Sequence, residues 1–140
     1  LKKAYMPQSK NQEHLTPDLI YDLIEKRWNI PKSAMYDPCI VGTPFRAPCF
    51  FNGLYSEWQI YNYVNPPYEI RTLEKFVKKA IQEAQKGKIT IMLLPTKTDQ
   101  DWFHFNILLN NFEILWIRKR LKFKNNKHHA TDSHFLVKIA

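Results

Sequence analysis

The run Tyr61-Asn62-Tyr63-Val64-Asn65 ends in two consecutive prolines, Pro66 and Pro67, followed by Tyr68. Aromatic and β-branched residues in this order read as a strand. The proline pair stops it abruptly, because each proline fixes φ near about −65° and removes a backbone donor. Proline also pushes the residue before it towards extended geometry, so Asn65 and Pro66 are held stiffly at the strand end. The product is a fixed array of a carboxamide, bare carbonyl acceptors and an aromatic ring. Such an array suits a planar ligand with an exocyclic amino group: the amide and a carbonyl accept from its two N–H bonds while Tyr68 stacks on the ring. A plain strand-terminating turn with Asn65 as a cap meets the same four-residue pattern, so context outside the motif has to discriminate.

A chain of 140 residues fits one domain with one core. Its 21 lysines and arginines exceed its 13 acids, a formal charge of +8 with histidines neutral. A surplus of that size points to an anionic partner, nucleic acid first, against the plainer alternative of a solvated basic surface. No apolar run approaches the ~20 residues of a membrane helix, and no signal-peptide pattern is present. The two cysteines, Cys39 and Cys49, are expected as reduced thiols in a cytoplasmic setting rather than as a disulfide framework.

Residues 1–14 are polar and aperiodic and are expected to form a flexible arm, leaving 15–140 as a single domain. Thr16-Pro17 reads as a helix start, Thr16 as N-cap and Pro17 in the first turn, with Leu19, Ile20, Leu23 and Ile24 at helical spacing and Pro31 as the stop. Ala34–Asp37 is a short candidate strand. An irregular stretch, 45–58, follows Gly42, with Asn52 and Gly53 as punctuation. After the proline pair, Leu73, Phe76, Val77, Ala80, Ile81 and Ala84 give an amphipathic helix, with Gly87 placed to end it. The apolar run 89–94, closed by Pro95, has the character of a central parallel strand. A helix over 102–109 capped by Thr98 or Asp99, strands at 113–117 and 120–124, a polar loop 125–133 and a last strand 134–139 complete the pattern. Alternation of this kind implies an α/β fold with a mostly parallel sheet, the strand ending at Val64 near its centre and an antiparallel element last. Ligands in such sheets gather at the carboxyl ends of strands, where Asp37, Asn65 and Pro95 all fall.

Asn65-Pro66-Pro67-Tyr68 resembles motif IV of the S-adenosylmethionine-dependent amino-methyltransferases. The ordered set around it is similar to the small phage-type DNA N6-adenine methyltransferases. That set comprises Thr16-Pro17, Asn52-Gly53-Leu54, Trp58, Phe76-Val77-Lys78-Lys79-Ala80, Met92-Leu93-Leu94-Pro95, Thr98-Asp99, Trp102-Phe103-His104 and Arg120-Leu121-Lys122-Phe123. The resemblance implies a trimmed Rossmann-like methyltransferase fold of viral type, working in the host cytoplasm. It implies S-adenosylmethionine as cofactor, DNA as partner and methyl transfer to N6 of a flipped adenine. Asn65, Pro66, Pro67 and Tyr68 would be catalytic. Thr16, Pro17, Asp37, Pro38, Cys39, Gly42 and Asn65 would face the cofactor, with Asp37–Thr43 standing where motif I belongs. That motif is glycine-poor, since Gly42 lacks the usual second glycine. Only 27 residues separate Asp37 from Asn65, too few for two further βα units, hence the trimmed sheet. Lys97, Arg120, Lys122 and Lys124 would contact DNA, and a short palindromic site would favour a homodimer.

Two other readings stay open from the residues alone. One is methylation of a different planar amine: cytosine N4, RNA adenine or a glutamine side chain. The other is a catalytically silent basic DNA-binding domain, which the glycine-poor motif I favours and the intact Asn65–Tyr68 motif opposes. His128, His129 and His134 match no closed zinc spacing, so no metal is expected. Alternation along Arg120, Lys122 and Lys124, with Leu121 and Phe123 inward, fits either a phosphate-contacting hairpin or a solvated edge strand.

Overall fold

The computed structural model describes residues 15–39 and 53–140, so the arm 1–14, Gly42 and Cys49 lie outside the described residues. Helix α1 (Asp18–Trp28) is followed by a 3-10 turn, Lys32–Ala34, then by strand β1 (Tyr61–Val64), helix α2 (Ile70–Ala84) and strand β2 (Ile89–Pro95). A π-helical segment, Phe103–Leu108, leads to strands β3 (Glu113–Trp116) and β4 (His134–Ile139). No helix among the described residues is long and apolar enough to cross a membrane.

The sheet runs in the order β1-β2-β4-β3. Among the described strands, only β1 and β2 pair in parallel; β4 is antiparallel to both of its neighbours. The expectation of a mostly parallel sheet is therefore corrected to a mixed one, although the antiparallel last strand is where it was expected. The reason is the insertion of β4 between β2 and β3, which replaces a second parallel ladder by two antiparallel ones. Nor is β1 central. It is an edge of this sheet, flanked outside by a single parallel bridge between Tyr36 and Asn62. Ala34–Asp37 contributes that bridge instead of a strand, because the 3-10 turn takes up its start and Pro38 follows at once.

Period-two alternation divides the core into two layers. Val64, Met92, Leu94, Phe135, Val137 and Ile139 face the Leu73, Phe76, Val77 and Ala80 stripe of α2. Tyr63, Ile91, Leu93 and Leu136 face Ile20 and Ile24 of α1. Leu121 and Phe123 are buried in this second layer while Arg120, Lys122 and Lys124 are exposed, so the expected in-and-out alternation is present. The expected strand is not. Lys124 N–H donates to the Leu15 carbonyl at 3.1 Å, and Ala130 N–H to the Leu121 carbonyl at 2.7 Å, so this backbone serves loop contacts instead of a ladder. At 102–109 a π-helix replaces the expected α-helix, with Leu109 N–H reaching back five residues to the His104 carbonyl at 2.9 Å.

Helix α2 begins where the carboxylate of Glu69 accepts from the Arg71 and Thr72 amides, at 3.2 and 3.0 Å. It ends in paired bonds, Gly87 N–H to the Ala84 carbonyl and Lys88 N–H to the Glu83 carbonyl, with Gly87 at φ +85° as the expected C-terminal glycine. Near that end the fully buried Glu83 carboxylate accepts from Lys79, Lys86 and Lys88 ammonium groups at 3.1, 3.1 and 3.0 Å, and from the Trp58 amide at 3.1 Å. Lys88 also donates to the Trp58 carbonyl at 2.7 Å, and Trp58 Nε1 to the Gly53 carbonyl at 2.7 Å. This network ties the approach to β1 onto α2. At Gly53 a Cβ would collide with the Pro38 carbonyl oxygen, so the absence of a side chain is what lets the two segments meet.

Burial pushes the Glu83 carboxyl up, but the bonds from Lys88, Trp58, Lys86 and Lys79 outweigh it and hold the pKa at about 2, below the ordinary 4.5. A lowered folded-state value stabilises above the unfolded pKa and is lost as pH falls through the folded one. Glu83→Gln should therefore destabilise at neutral pH by about 1–3 kcal/mol, the lower end applying if solvent around Lys86 screens the cluster. The gap from the parent should narrow between pH 4.5 and pH 2 in urea unfolding. Gly53→Ala should cost about 1–3 kcal/mol through overpacking, seen as a lower melting temperature.

Candidate active site

The proline pair does what its chemistry requires: β1 stops at Val64, and Asn65 is left nearly buried at the strand's carboxyl end. Four residues later Glu69 starts α2, so Tyr68 is bracketed by the prolines on one side and a capped helix on the other. Both ends of the Asn65 carboxamide are engaged. Its Nδ2 donates to Thr16 Oγ1 at 3.2 Å, and its Oδ1 accepts from the Tyr68 hydroxyl at 2.9 Å. Thr16 Oγ1 is in turn 2.7 Å from the Tyr63 hydroxyl. Tyr63, Thr16, Asn65 and Tyr68 thus form one hydrogen-bonded chain from the second core layer to the motif.

This arrangement corrects one local expectation. Thr16 does not cap α1; Pro17 occupies the N-cap position, with extended geometry at φ −68°. Pro17 brings no side chain able to cap, and the threonine hydroxyl is turned to Asn65 instead. Leu15 secures that placement, its amide donating to Asn125 Oδ1 at 3.0 Å while its carbonyl accepts from Lys124.

Burial pushes the phenols of Tyr63 and Tyr68 well above their ordinary value, so both stay neutral O–H groups across the physiological range. The Tyr21 phenol is also raised, first by burial; its ring lies 5.0 Å from that of Tyr63. Asp37 follows Tyr36, whose amide donates to the Tyr61 carbonyl and whose carbonyl accepts from the Tyr63 amide, both at 2.9 Å, so it lies beside the end of β1, and its charge adds to the rise at Tyr63 and Tyr21. Asp37 Oδ1 accepts from the Cys39 amide at 2.8 Å, shaping the Asp-Pro-Cys turn. Cys39 itself is buried in the core with Trp58 and Phe76. A hydrogen bond brings Thr16 and Asn65 together and Asp37 lies beside the end of β1, whereas Gly42 falls outside the described residues.

Tyr68 forms one wall of a cavity of about 880 Å³ at the carboxyl end of β2, together with Pro95, Lys97, Trp102, Phe123, His134 and the loop 125–132. The Tyr68 ring is 5.5 Å from that of His134, tilted by 41°, and 6.5 Å from that of Phe123, edge-on. Of the expected DNA-contacting cations, Lys97 lines this cavity and pairs with Asp132 at 3.1 Å. Lys122 donates to the Asn126 carbonyl at 3.1 Å, and Lys124 pairs with Asp18 at 2.8 Å. Arg120 is exposed just before them.

Sequence reasoning missed Tyr63 as a site residue and His134 as a neighbour of Tyr68. For Tyr63 a signal existed: alternation places it on the face opposite Val64, where Thr16-Pro17 opens α1. For His134 none did, because its place follows from β4 pairing with Pro95. Among the described residues, no cluster of three or more potential ligands could hold a metal ion.

A family model described as DNA N-6-adenine-methyltransferase (Dam) matches residues 3–139 of the chain. No curated protein and no solved structure gives a significant match.

Proposed function

The chain belongs to the DNA N-6-adenine-methyltransferase (Dam) family, and on that premise we propose that it methylates N6 of an adenine flipped out of DNA, using S-adenosylmethionine. One observation carries the assignment of the site: the Asn65 carboxamide is immobilised at the carboxyl end of β1, and its partner Tyr68 walls the large cavity.

An aryl amine is a weak nucleophile because its lone pair is delocalised into the ring. Asn65 Oδ1 and the Pro66 carbonyl accept from the two N6–H bonds and draw the nitrogen towards a tetrahedral shape, localising that pair. Pro66 and Pro67 supply stiffness, so little has to reorganise when the amine arrives. The cavity beside Tyr68 receives the extruded base, with the partly exposed Tyr68 ring offering a stacking surface, worth about 1–3 kcal/mol per base.

A polar cluster of carboxylate, carboxamide and hydroxyl groups at the end of β1 fits the donor and acceptor chemistry of S-adenosylmethionine. Asp37 and Asn65, framed by Pro17 and Pro38, would hold it. Bound there, the cofactor would supply an electrophilic methyl group to the N6 lone pair, with the methyl–sulfur electron pair staying on sulfur and the N6 proton passing to solvent.

Arg120, Lys122, Lys124 and Lys97 face the phosphates. The Lys124–Asp18 pair is exposed and weak, so a phosphate displaces it at little cost. About five phosphate contacts give a log–log salt slope of roughly −4 to −5, and Lys122→Ala should reduce it by about one with equal loss on all sequences.

The decisive experiment incubates the protein with DNA and methyl-labelled cofactor and analyses the nucleosides by mass spectrometry. N6-methyladenine is expected. Label in N4-methylcytosine, or only in RNA, moves the reading to another planar amine. No thermal shift with S-adenosylmethionine, with or without DNA, reduces the protein to a DNA-binding domain. Asn65→Ala should lower turnover by about ten- to a few-hundredfold, much further than it lowers DNA or cofactor affinity, because the acceptor acts mainly in the transition state. Full activity in that variant would leave the motif as a turn only.

A further inference from the structure

We propose that Thr16 is a positioning residue, whose hydroxyl, itself held by the Tyr63 hydroxyl, receives the Nδ2 end of Asn65 and so fixes the oxygen end of the carboxamide towards the amine to be methylated. The inference rests on the methyltransferase reading of Asn65 above.

The two ends of a carboxamide have almost the same shape and opposite hydrogen-bonding character. The terminal torsion that exchanges them is broad and roughly two-fold, so sterics alone do not choose between the ends. The choice matters chemically: the oxygen accepts from an amino group and draws it towards tetrahedral geometry, whereas an –NH2 presented to that group opposes it, donor against donor. Partners at the two ends must therefore break the symmetry. Here they differ in kind. At the oxygen end stands Tyr68, a phenol, which is a better donor and a poorer acceptor than an aliphatic alcohol; its hydroxyl donates at 2.9 Å. At the nitrogen end stands Thr16, an aliphatic hydroxyl with two acceptor lone pairs, 3.2 Å from Nδ2. The Tyr63 hydroxyl, 2.7 Å from Thr16 Oγ1 and neutral through burial, keeps the threonine rotamer in place from behind.

A second observation points the same way. Threonine ahead of proline at a helix start ordinarily caps that helix. In this chain the cap is forgone, and the hydroxyl reaches a residue 49 positions away. Local rules broken in this manner concentrate at functional sites. The backbone of Leu15, bonded through both its amide and its carbonyl to the 124–125 segment, holds Thr16 in that position.

Thr16→Val keeps the shape of the side chain and removes the hydroxyl. Turnover is expected to fall by about ten- to a hundredfold, with KM for DNA and calorimetric affinity for S-adenosylmethionine each within about threefold of the parent. Thr16→Ser should restore turnover to within about threefold. Adding Thr16→Val to Asn65→Ala should cost little more, since both remove the same acceptor. A parallel loss of cofactor affinity in Thr16→Val would overturn the inference in favour of a direct cofactor contact, and unchanged turnover would overturn it outright. Thermal melts identify a variant that fails to fold; Tyr63→Phe, which loosens Thr16 from behind, is then the substitute and should lower turnover in the same KM-neutral way. If the parent itself proves inactive on DNA, the methyltransferase reading falls separately. The placement of the amide is then read by NMR, as slow exchange of an Asn65 side-chain proton in the parent that is lost in Thr16→Val. Equal exchange in both would overturn it.

Discussion

Everything at this site depends on a conflict the backbone cannot avoid: a strand that must stop and a helix that must start within a few residues. Pro66 and Pro67 resolve it by denying the ladder two donors, and Glu69 by supplying the first turn of α2 with acceptors. Between them the chain has almost no freedom, so Asn65 and Tyr68 inherit positions set by covalent geometry. The side-chain bonds to Thr16 and Tyr68 then act on a carboxamide that is already placed. Preorganisation of this sort costs nothing at the moment of reaction, which is what the proposed role of so short a motif requires.

The positive charge divides in a way its total conceals. Lys79, Lys86 and Lys88 converge on Glu83, where they hold the entry to β1 against α2. Lys97 and Lys124 each have an acidic partner at the surface. A formal +8 is therefore not a measure of the charge offered to a polyanion. Part of it is structural, and six cations, Arg118, Lys119, Arg120, Lys122, Lys124 and Lys127, cluster along 118–127, a stretch whose Lys127 lines the cavity that Tyr68 walls.

Where local chemistry decides an element, the sequence was sufficient. β2 and β4 stand where hydrophobic runs bounded by proline and polar loops put them, and α2 follows its stripe of apolar residues to Gly87. The motif at Asn65 was legible because proline acts through its own ring. Sheet order was not, since pairing partners lie far apart in the chain and nothing near His134 announces that β4 enters between β2 and β3. The same limit hid the Thr16–Asn65 bond: threonine before proline carries a strong local meaning, and a tertiary contact overrode it. At Arg120–Lys124 the alternation was real, but burial of alternate residues does not require a neighbouring strand.

The position of β4 also governs how the sheet can be assembled. With every residue up to Ser133 in place, β1 and β2 can pair, yet β3 has no strand among the described residues to pair with, because its neighbour in the finished sheet is β4. Residues 134–139 are thus a keystone rather than a fringe: during synthesis the two halves of the sheet stay apart until they emerge, and their loss would split the sheet through its middle. Pairings this distant in sequence make slow, late steps of folding. The loop 125–132 that delivers β4 is also a wall of the cavity beside Tyr68, so the pocket and the sheet are completed in the same event.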